Sequence, residues 1–454
     1  MPRRPKNKVQ TQPVNLQPDS AGIDIGATEL LVAVPPDRDQ ESIRTFGTFT
    51  EDLHALADWL SRCRIKTIAM ESTGVYWIPL FQILETRGFE VCLVNARHVK
   101  NVPGRKTDVL DCQWLQYLHS VGLLRGSFRP NDQVCALRSY LRHRDMLVRC
   151  AASHVQHIQK ALTQMNLQLH HVISDLTGLT GLAILDAILA GQRDPKVLAA
   201  LRDPRVKASE TTIAKALVGD YRPEHLFTLK QALTLYRHYQ AQMRECDLQI
   251  EKHLASFQTK ATEPVPAPVG RQRKKPERNQ PQFDLRSHLH RILGLDLTAL
   301  PGLGTVNAHT FFSEIGSDLS KFPSSKHFAS WLGLCPDQRL SGGRVLSAHT
   351  RSVKSRAAYA LRMAAYSAGR SYSAIGDYFR RMRARLGTPK AITATAHKLA
   401  RIIFHLLKTR TPYDESIFAR DEQRYLHRRT INLRRQAHDL GFSLTPLPAS
   451  GEVS

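Results

Sequence analysis

Gly22-Ile23-Asp24-Ile25-Gly26 decides the fold: it sets one carboxylate between two isoleucines in a short apolar run. A charged side chain inside an apolar strand is costly unless it is paired or bound to a cation. Working outward, Ala21–Ile25, Glu29–Val34 and Arg44–Thr50 read as three short strands separated by turn residues, followed by a helix over Asp52–Arg62. A fourth strand at Ile65–Met70, a helical stretch around Val75–Arg87, a strand at Glu90–Asn95 and a helix from about Thr107 to His119 complete the order βββαβαβα.

That order matches a ribonuclease-H-like layout, in which the first and fourth strands are neighbours and the last helix packs across their ends. Glu71 follows the fourth strand, just before Ser72-Thr73-Gly74, while Asp108 and Asp111 share a face near the start of the last helix. Taken alone, those two aspartates read as charges complementing the helix dipole. Taken with the layout, Asp24, Glu71, Asp108 and Asp111 meet. Four carboxylates that close together require cations, and two Mg²⁺ ions suit hard oxygen donors. In-line displacement at a phosphodiester is the reaction such a site supports. Ile23-Asp24-Ile25-Gly26-Ala27-Thr28 also fits the first phosphate loop of an actin-like ATPase, but no second Asp-x-Gly loop follows in a suitable setting.

The chain has 454 residues, enough for two or three domains. Its 64 Lys and Arg against 40 Asp and Glu leave a formal net charge of +24, which calls for a polyanionic partner, nucleic acid first. Apolar stretches fall short of the roughly 20 residues of a bilayer span, and the first twenty residues lack the apolar core of a secretory signal. A cytoplasmic protein is expected. Seven scattered cysteines with no C-x-x-C, and twenty histidines with no H-E-x-x-H, give neither a disulfide framework nor a zinc site.

Six segments follow: a disordered basic arm (1–20), the α/β domain (21–128), a helical coiled-coil domain (129–259), a Pro-rich basic linker (260–285), a mostly helical domain (286–410) and a basic tail (411–454). Val134, Leu141, Val148, Val155, Leu162 and Leu169 fall seven apart. Leu137, Ala151, Ile158, Met165 and Val172 supply an alternate seam interrupted by Arg144. The pattern spans roughly 60 Å of helix at ~1.5 Å per residue. A second stripe through Leu229, Leu233, Tyr236, Met243, Ile250, Leu254 and Phe257 runs back along it. Either an antiparallel arm with a dimer contact or an ordinary helical domain satisfies both. The linker holds five prolines and the run Arg271, Arg273, Lys274, Lys275.

In the C-terminal half, Leu300-Pro301-Gly302-Leu303-Gly304, with Glu314-Ile315-Gly316 beyond it, has the form of a helix-hairpin-helix whose glycines let the backbone approach a phosphate. From His349 to Lys390, ten Lys or Arg face one acid, Asp377. Arg351, Lys354, Arg356, Arg380, Arg381, Arg383 and Arg385 interleave there with Tyr359, Tyr366, Tyr372, Tyr378 and Phe379, as a backbone-gripping surface with stacking platforms does. Ser341-Gly342-Gly343-Arg344 reads first as a turn, with Ser341 a nucleophile as the less frequent alternative.

Together, Gly22-Ile23-Asp24-Ile25-Gly26, Glu71-Ser72-Thr73-Gly74-Val75-Tyr76, Val94-Asn95 to Lys106-Thr107-Asp108-Val109-Leu110-Asp111, Leu300 to Gly304, Trp331-Leu332-Gly333-Leu334-Cys335-Pro336 and Ser341-Gly342-Gly343 resemble the DEDD transposases of insertion sequences. These are bridge-RNA-guided serine recombinases with a RuvC-like nuclease domain. The resemblance spans about 21–410. It implies that Asp24, Glu71, Asp108 and Asp111 bind Mg²⁺ and that Ser341 attacks DNA as a covalent phosphoserine, with Arg344 a helper. Lys106, Gly302, Gly304, Arg351, Lys354 and Arg356 are expected on nucleic acid. It further implies donor and target duplex DNA, a non-coding guide RNA, a dimer that becomes a tetramer in the synaptic complex, and a nucleoid-associated bacterial protein. The alternatives are a RuvC-type Holliday-junction resolvase using water as nucleophile and a non-enzymatic nucleic-acid-binding protein.

Overall fold

The computed structural model describes residues 15–72, 74–95, 108–267 and 279–445. Most of the basic arm, Lys106, the side chain of Asp108, the basic run of the linker and the chain beyond 445 lie outside the described residues. Two units form, Met1–Arg129 and Pro130–Ser454.

In the first unit, β1 (Ser20–Ile25), β2 (Glu29–Ala33), β3 (Ile43–Gly47), β4 (Thr67–Glu71) and β5 (Glu90–Val94) form one sheet of order β3-β2-β1-β4-β5. The first three run as an antiparallel meander, and β4 and β5 are parallel to β1. Ala21, Ile23 and Ile25 from β1 and Ile68 and Met70 from β4 enter one core with Leu56, Trp59 and Leu60 of α1 (Thr50–Arg62) and Leu80 and Leu84 of α2 (Trp77–Thr86). Strand alternation therefore turns Gly22, Asp24, Thr67, Ala69 and Glu71 to the other face. That face carries α3 (Asp108–Ser120).

In the second unit, α4 (Asp132–Gln164) and α9 (Pro223–Ala255) lie antiparallel. Gln133 meets Ser256 and His253, Arg144 meets Asp247, and His154 stacks on Tyr239. Between their far ends the short helices α5 (Leu169–Val172), α6 (Leu179–Leu189), α7 (Pro195–Ala200) and α8 (Glu210–Ala216) close a core of Ile158, Leu162, Met165, Ile184, Ile213 and Leu229. The seam departs from expectation. Leu141, Val148 and Val155 are only part-buried, whereas Leu137, Arg144, Ala151, Ile158 and Met165 are buried. Arg144 does not interrupt that line: it enters it and pairs with Asp247.

The remaining elements are α10 (Leu285–Leu293), α11 (Thr305–Ile315), α12 (Ser325–Trp331), the hairpin β6 (Arg339–Ser341) and β7 (Arg344–Ser347), α13 (Arg356–Ala368), α14 (Ala374–Leu386), α15 (Thr388–Thr409) and α16 (Ala419–Asp439). Phe311, Phe312, Phe328, Leu361, Leu399 and Ile403 are fully buried among them. Two expectations change. The described ends of the linker are tied down, with Lys260 donating its N–H to Arg291 at 2.8 Å and Arg286 reaching Pro266 at 2.8 Å, and the chain on both sides belongs to one unit. The basic tail contains a 21-residue helix, α16.

Candidate active site

β1 and β4 pair in parallel, with Ile23 opposite Met70. One step further along, Asp24 lies level with Glu71 on the α3 face, each half-buried. α3 is pressed onto that face. A Cβ on Gly22 would stand 2.3 Å from the Cys112 carbonyl oxygen and 2.3 Å from the Gln116 nitrogen, so only glycine permits this approach. Thr67 Oγ1 and His119 Nε2 share a buried hydrogen bond of 2.8 Å, and Gln116 Nε2 donates to the Ser20 carbonyl at 3.4 Å. Burial pushes His119 below its usual value, which favours the neutral imidazole at that bond.

Asp111 lies in the first turn of α3, next to Cys112. Burial pushes the Cys112 thiol up to about 11, and the charges of Asp24 and Asp111 add to the rise. Asp24 and Glu71 thus share one face of the sheet, and Asp111 stands in the first turn of the helix packed on that face. Asp108 opens that helix. Among the described residues no group of three or more His, Cys, Asp or Glu is spaced to hold a metal ion. The donor set is nonetheless all carboxylate, half-buried and drawn from a rigid strand pair and one helix turn, a chemistry that fits a hard divalent cation.

Ser341 belongs to the second unit. It ends β6, pairs with Arg344, and is followed by Gly342 and Gly343 at φ +53° and +76°. Two consecutive positive φ values make the two-residue turn that matches strand twist, and side chains other than Gly, Asn or Asp resist it. Ser341 and Arg344 are exposed at this tip. A bridge between Pro336 and Thr350 closes the base of the hairpin.

The other predicted contacts divide. Lys354 is exposed, and Gly304 caps the N-terminus of α11 with open space at its Cα. Gly302 answers to the fold: at φ +85°, its missing Cβ would stand 2.3 Å from the Ala364 carbonyl oxygen of α13. Arg356 is also taken, by Asp145 of α4 and by Glu314 at 3.9 Å. Glu314 further accepts from Arg142 at 3.0 Å, while Arg138 binds its carbonyl at 2.7 Å. Arg351 is anchored to the Ser330 carbonyl at 2.5 Å. Among the expected stacking residues, Phe379 is buried and Tyr378 sits half-buried beneath the Lys398 ammonium at 4.6 Å. Sequence reasoning passed over the packing role of Gly22 and the Arg144–Asp247 pair. A glycine in mid-strand and an arginine in step with a heptad were their signals.

An acid on the central strand, another at the end of its parallel neighbour and more in the helix laid across them define the DEDD class. Residues 21–167 match the transposase family DEDD_Tnp_IS110, and residues 296–380 match the Transposase IS116/IS110/IS902 family. The "Insertion element IS110 uncharacterized 43.6 kDa protein" of Streptomyces coelicolor is 29% identical over 120 residues. That stretch covers 26% of this chain and 29% of the relative. The chain belongs to the IS110-family DEDD transposases.

Proposed function

We propose that this chain cuts and rejoins DNA strands, using Asp24, Glu71, Asp108 and Asp111 at one centre and Ser341 at another. The observation that carries the reading is Asp24 standing level with Glu71 on the face covered by α3, the helix that bears Asp108 and Asp111. Asp24, Glu71, Asp108 and Asp111 would hold Mg²⁺, two ions by the donor count, and the metal would supply electrostatic stabilisation of charge developing at phosphorus. Ser341 Oγ attacks a phosphodiester: the P–Oγ bond forms as the P–O3′ bond breaks, and the departing oxygen takes up a proton as a 3′-hydroxyl. The 5′-phosphoserine retains the ester, so a second 3′-hydroxyl rejoins DNA by the reverse displacement without ATP. Arg344, paired with Ser341 across the turn, lies where it can bind a phosphate oxygen.

Phosphate gripping falls to Gly304 at the start of α11, to Lys354, and to Lys106, two residues before Asp108 in the sequence. The partners are donor and target duplexes and a guide RNA that pairs with both. By the family resemblance, the chain forms a dimer that becomes a tetramer in the synaptic complex. The antiparallel α4–α9 pair serves as the arm, and the protein works at the nucleoid.

Ser341→Ala abolishes covalent protein–DNA adducts on denaturing gels and leaves nucleic-acid binding intact. Adducts that persist remove the serine from the chemistry, and cleavage without adducts points to water as the nucleophile. Sequencing RNA co-purified with the protein from cells carrying its flanking DNA tests guidance: one discrete RNA matching junction and insertion site supports it, and heterogeneous RNA opposes it.

A further inference from the structure

The outer face of α13 carries a pattern that the proposed chemistry does not use. Its inner side is pinned, with Ala357, Ala358, Leu361, Ala364, Ala365 and Ala368 all fully buried. Its outer side presents Tyr359 at 63% exposure, Met363 at 37% and Tyr366 at 43%, with Arg362 on the same face. These positions stand three, four and seven residues apart, one stripe of a helix. The turn beyond continues it: the Arg370 guanidinium lies 5.2 Å over the Tyr366 ring and donates to its Oη at 3.3 Å, and Tyr372 is fully exposed.

At the other end, the first turns of α11 and α13 flank a cavity of about 500 Å³ lined by Asn307, Thr310, Lys354, Tyr359 and Arg362. Asp145 at its rim is neutralised by Arg356. Among the described residues no acid pairs with Lys354, Arg362 or Arg370. The face therefore alternates rings with cations: Tyr359 and Tyr372 are exposed, Tyr366 has the Arg370 guanidinium over one side of its ring, and no described acid holds the cations. A duplex hides the faces of its bases inside its own stack, whereas an unpaired strand offers them.

We propose that this face of α13, from the Lys354–Arg362 cavity through Tyr359 and Tyr366 to Arg370 and Tyr372, docks single-stranded DNA, bases on the tyrosines and phosphates on the cations. The choice of DNA rests on the strand-exchange reading: cutting at the hairpin that leads into α13 leaves an unpaired strand beside it.

The test is fluorescence anisotropy of the full-length protein, without metal, on labelled oligothymidylate of roughly 15 nucleotides, on a duplex of equal length and on oligouridylate. Tyr359→Ala with Tyr366→Ala weakens oligothymidylate binding at least about tenfold and leaves duplex binding within about twofold. Tyr359→Phe with Tyr366→Phe, which keeps both rings, binds as the parent does. Because these side chains are exposed, an unchanged thermal melt verifies that the alanine variant is folded. Parent-like oligothymidylate binding by the alanine pair overturns the proposal. So does an equal loss on the duplex, or a loss confined to oligouridylate. Failure of the strand-exchange reading shows separately, as absence of serine adducts in the parent protein.

Discussion

At the residue scale, Gly22 and Asp24 stand two apart on β1 and do opposite things on the same face. Asp24 was legible because a carboxylate in an apolar strand has few explanations. Gly22 was quoted in the same motif, yet its role depends on a helix nearly ninety residues later, which no local pattern reveals. Gly22→Ala forces α3 off β1, costs about 1–3 kcal/mol of stability by overpacking, and carries Asp111 away from Asp24; the thermal melt and strand cleavage should fall together. Arg144 taught the reverse lesson, since its period is apolar while its chemistry is ionic. It and Asp247 are 8% and 6% exposed in their side chains, and Arg144 also donates to the Asn279 carbonyl at 2.9 Å. Asp247→Leu alone strands a buried cation and costs about 3–5 kcal/mol, whereas Arg144→Met with Asp247→Leu recovers most of that loss. Urea denaturation of the parent and the two variants checks it.

At the element scale, the strands and helices of the first unit fall within a few residues of their expected places, because period-two and period-3.6 patterns are strong where one face is buried. The α4–α9 pair was legible as two stripes, but not which seam would be innermost, since that is set by the partner helix. α16 was missed. Its arginines mask Leu426 and Leu433, seven apart on an exposed helix, with Leu440 just past its end. The hairpin makes its own prediction. Gly342→Asn keeps a turn that tolerates positive φ, whereas Gly342→Val with Gly343→Val breaks it. The valine pair should lose adduct formation and lower the thermal melt through the strain of branched side chains at positive φ, whereas Gly342→Asn keeps both close to the parent.

At the scale of the whole molecule, charge and burial set the response to solution conditions. His309 is 2% exposed, and its Nε2 is buried without a hydrogen-bond partner. Burial pushes it down to about 3, with the charges of Arg144 and His288 adding. The unfolded chain takes up this proton near pH 6.5, so below that value the unfolded state binds more protons than the native one. Stability from this site is full above about pH 6.5 and falls by about 1.4 kcal/mol per pH unit on acidification toward the native value. Denaturant titrations across that window, repeated on His309→Leu, should show the slope shrink. A net charge of +24 also makes duplex affinity fall with salt, with a log–log slope of about −0.9 for each phosphate engaged.

The packing of α3 on β1 leaves Cys112 completely buried, and its proton is held tightly by burial and by the charges of Asp24 and Asp111. A thiol in that condition resists alkylating reagents until the helix lifts from the strand. The rate at which iodoacetamide marks the Cys112 peptide, followed by mass spectrometry, therefore reports how often α3 lifts from β1 across the population.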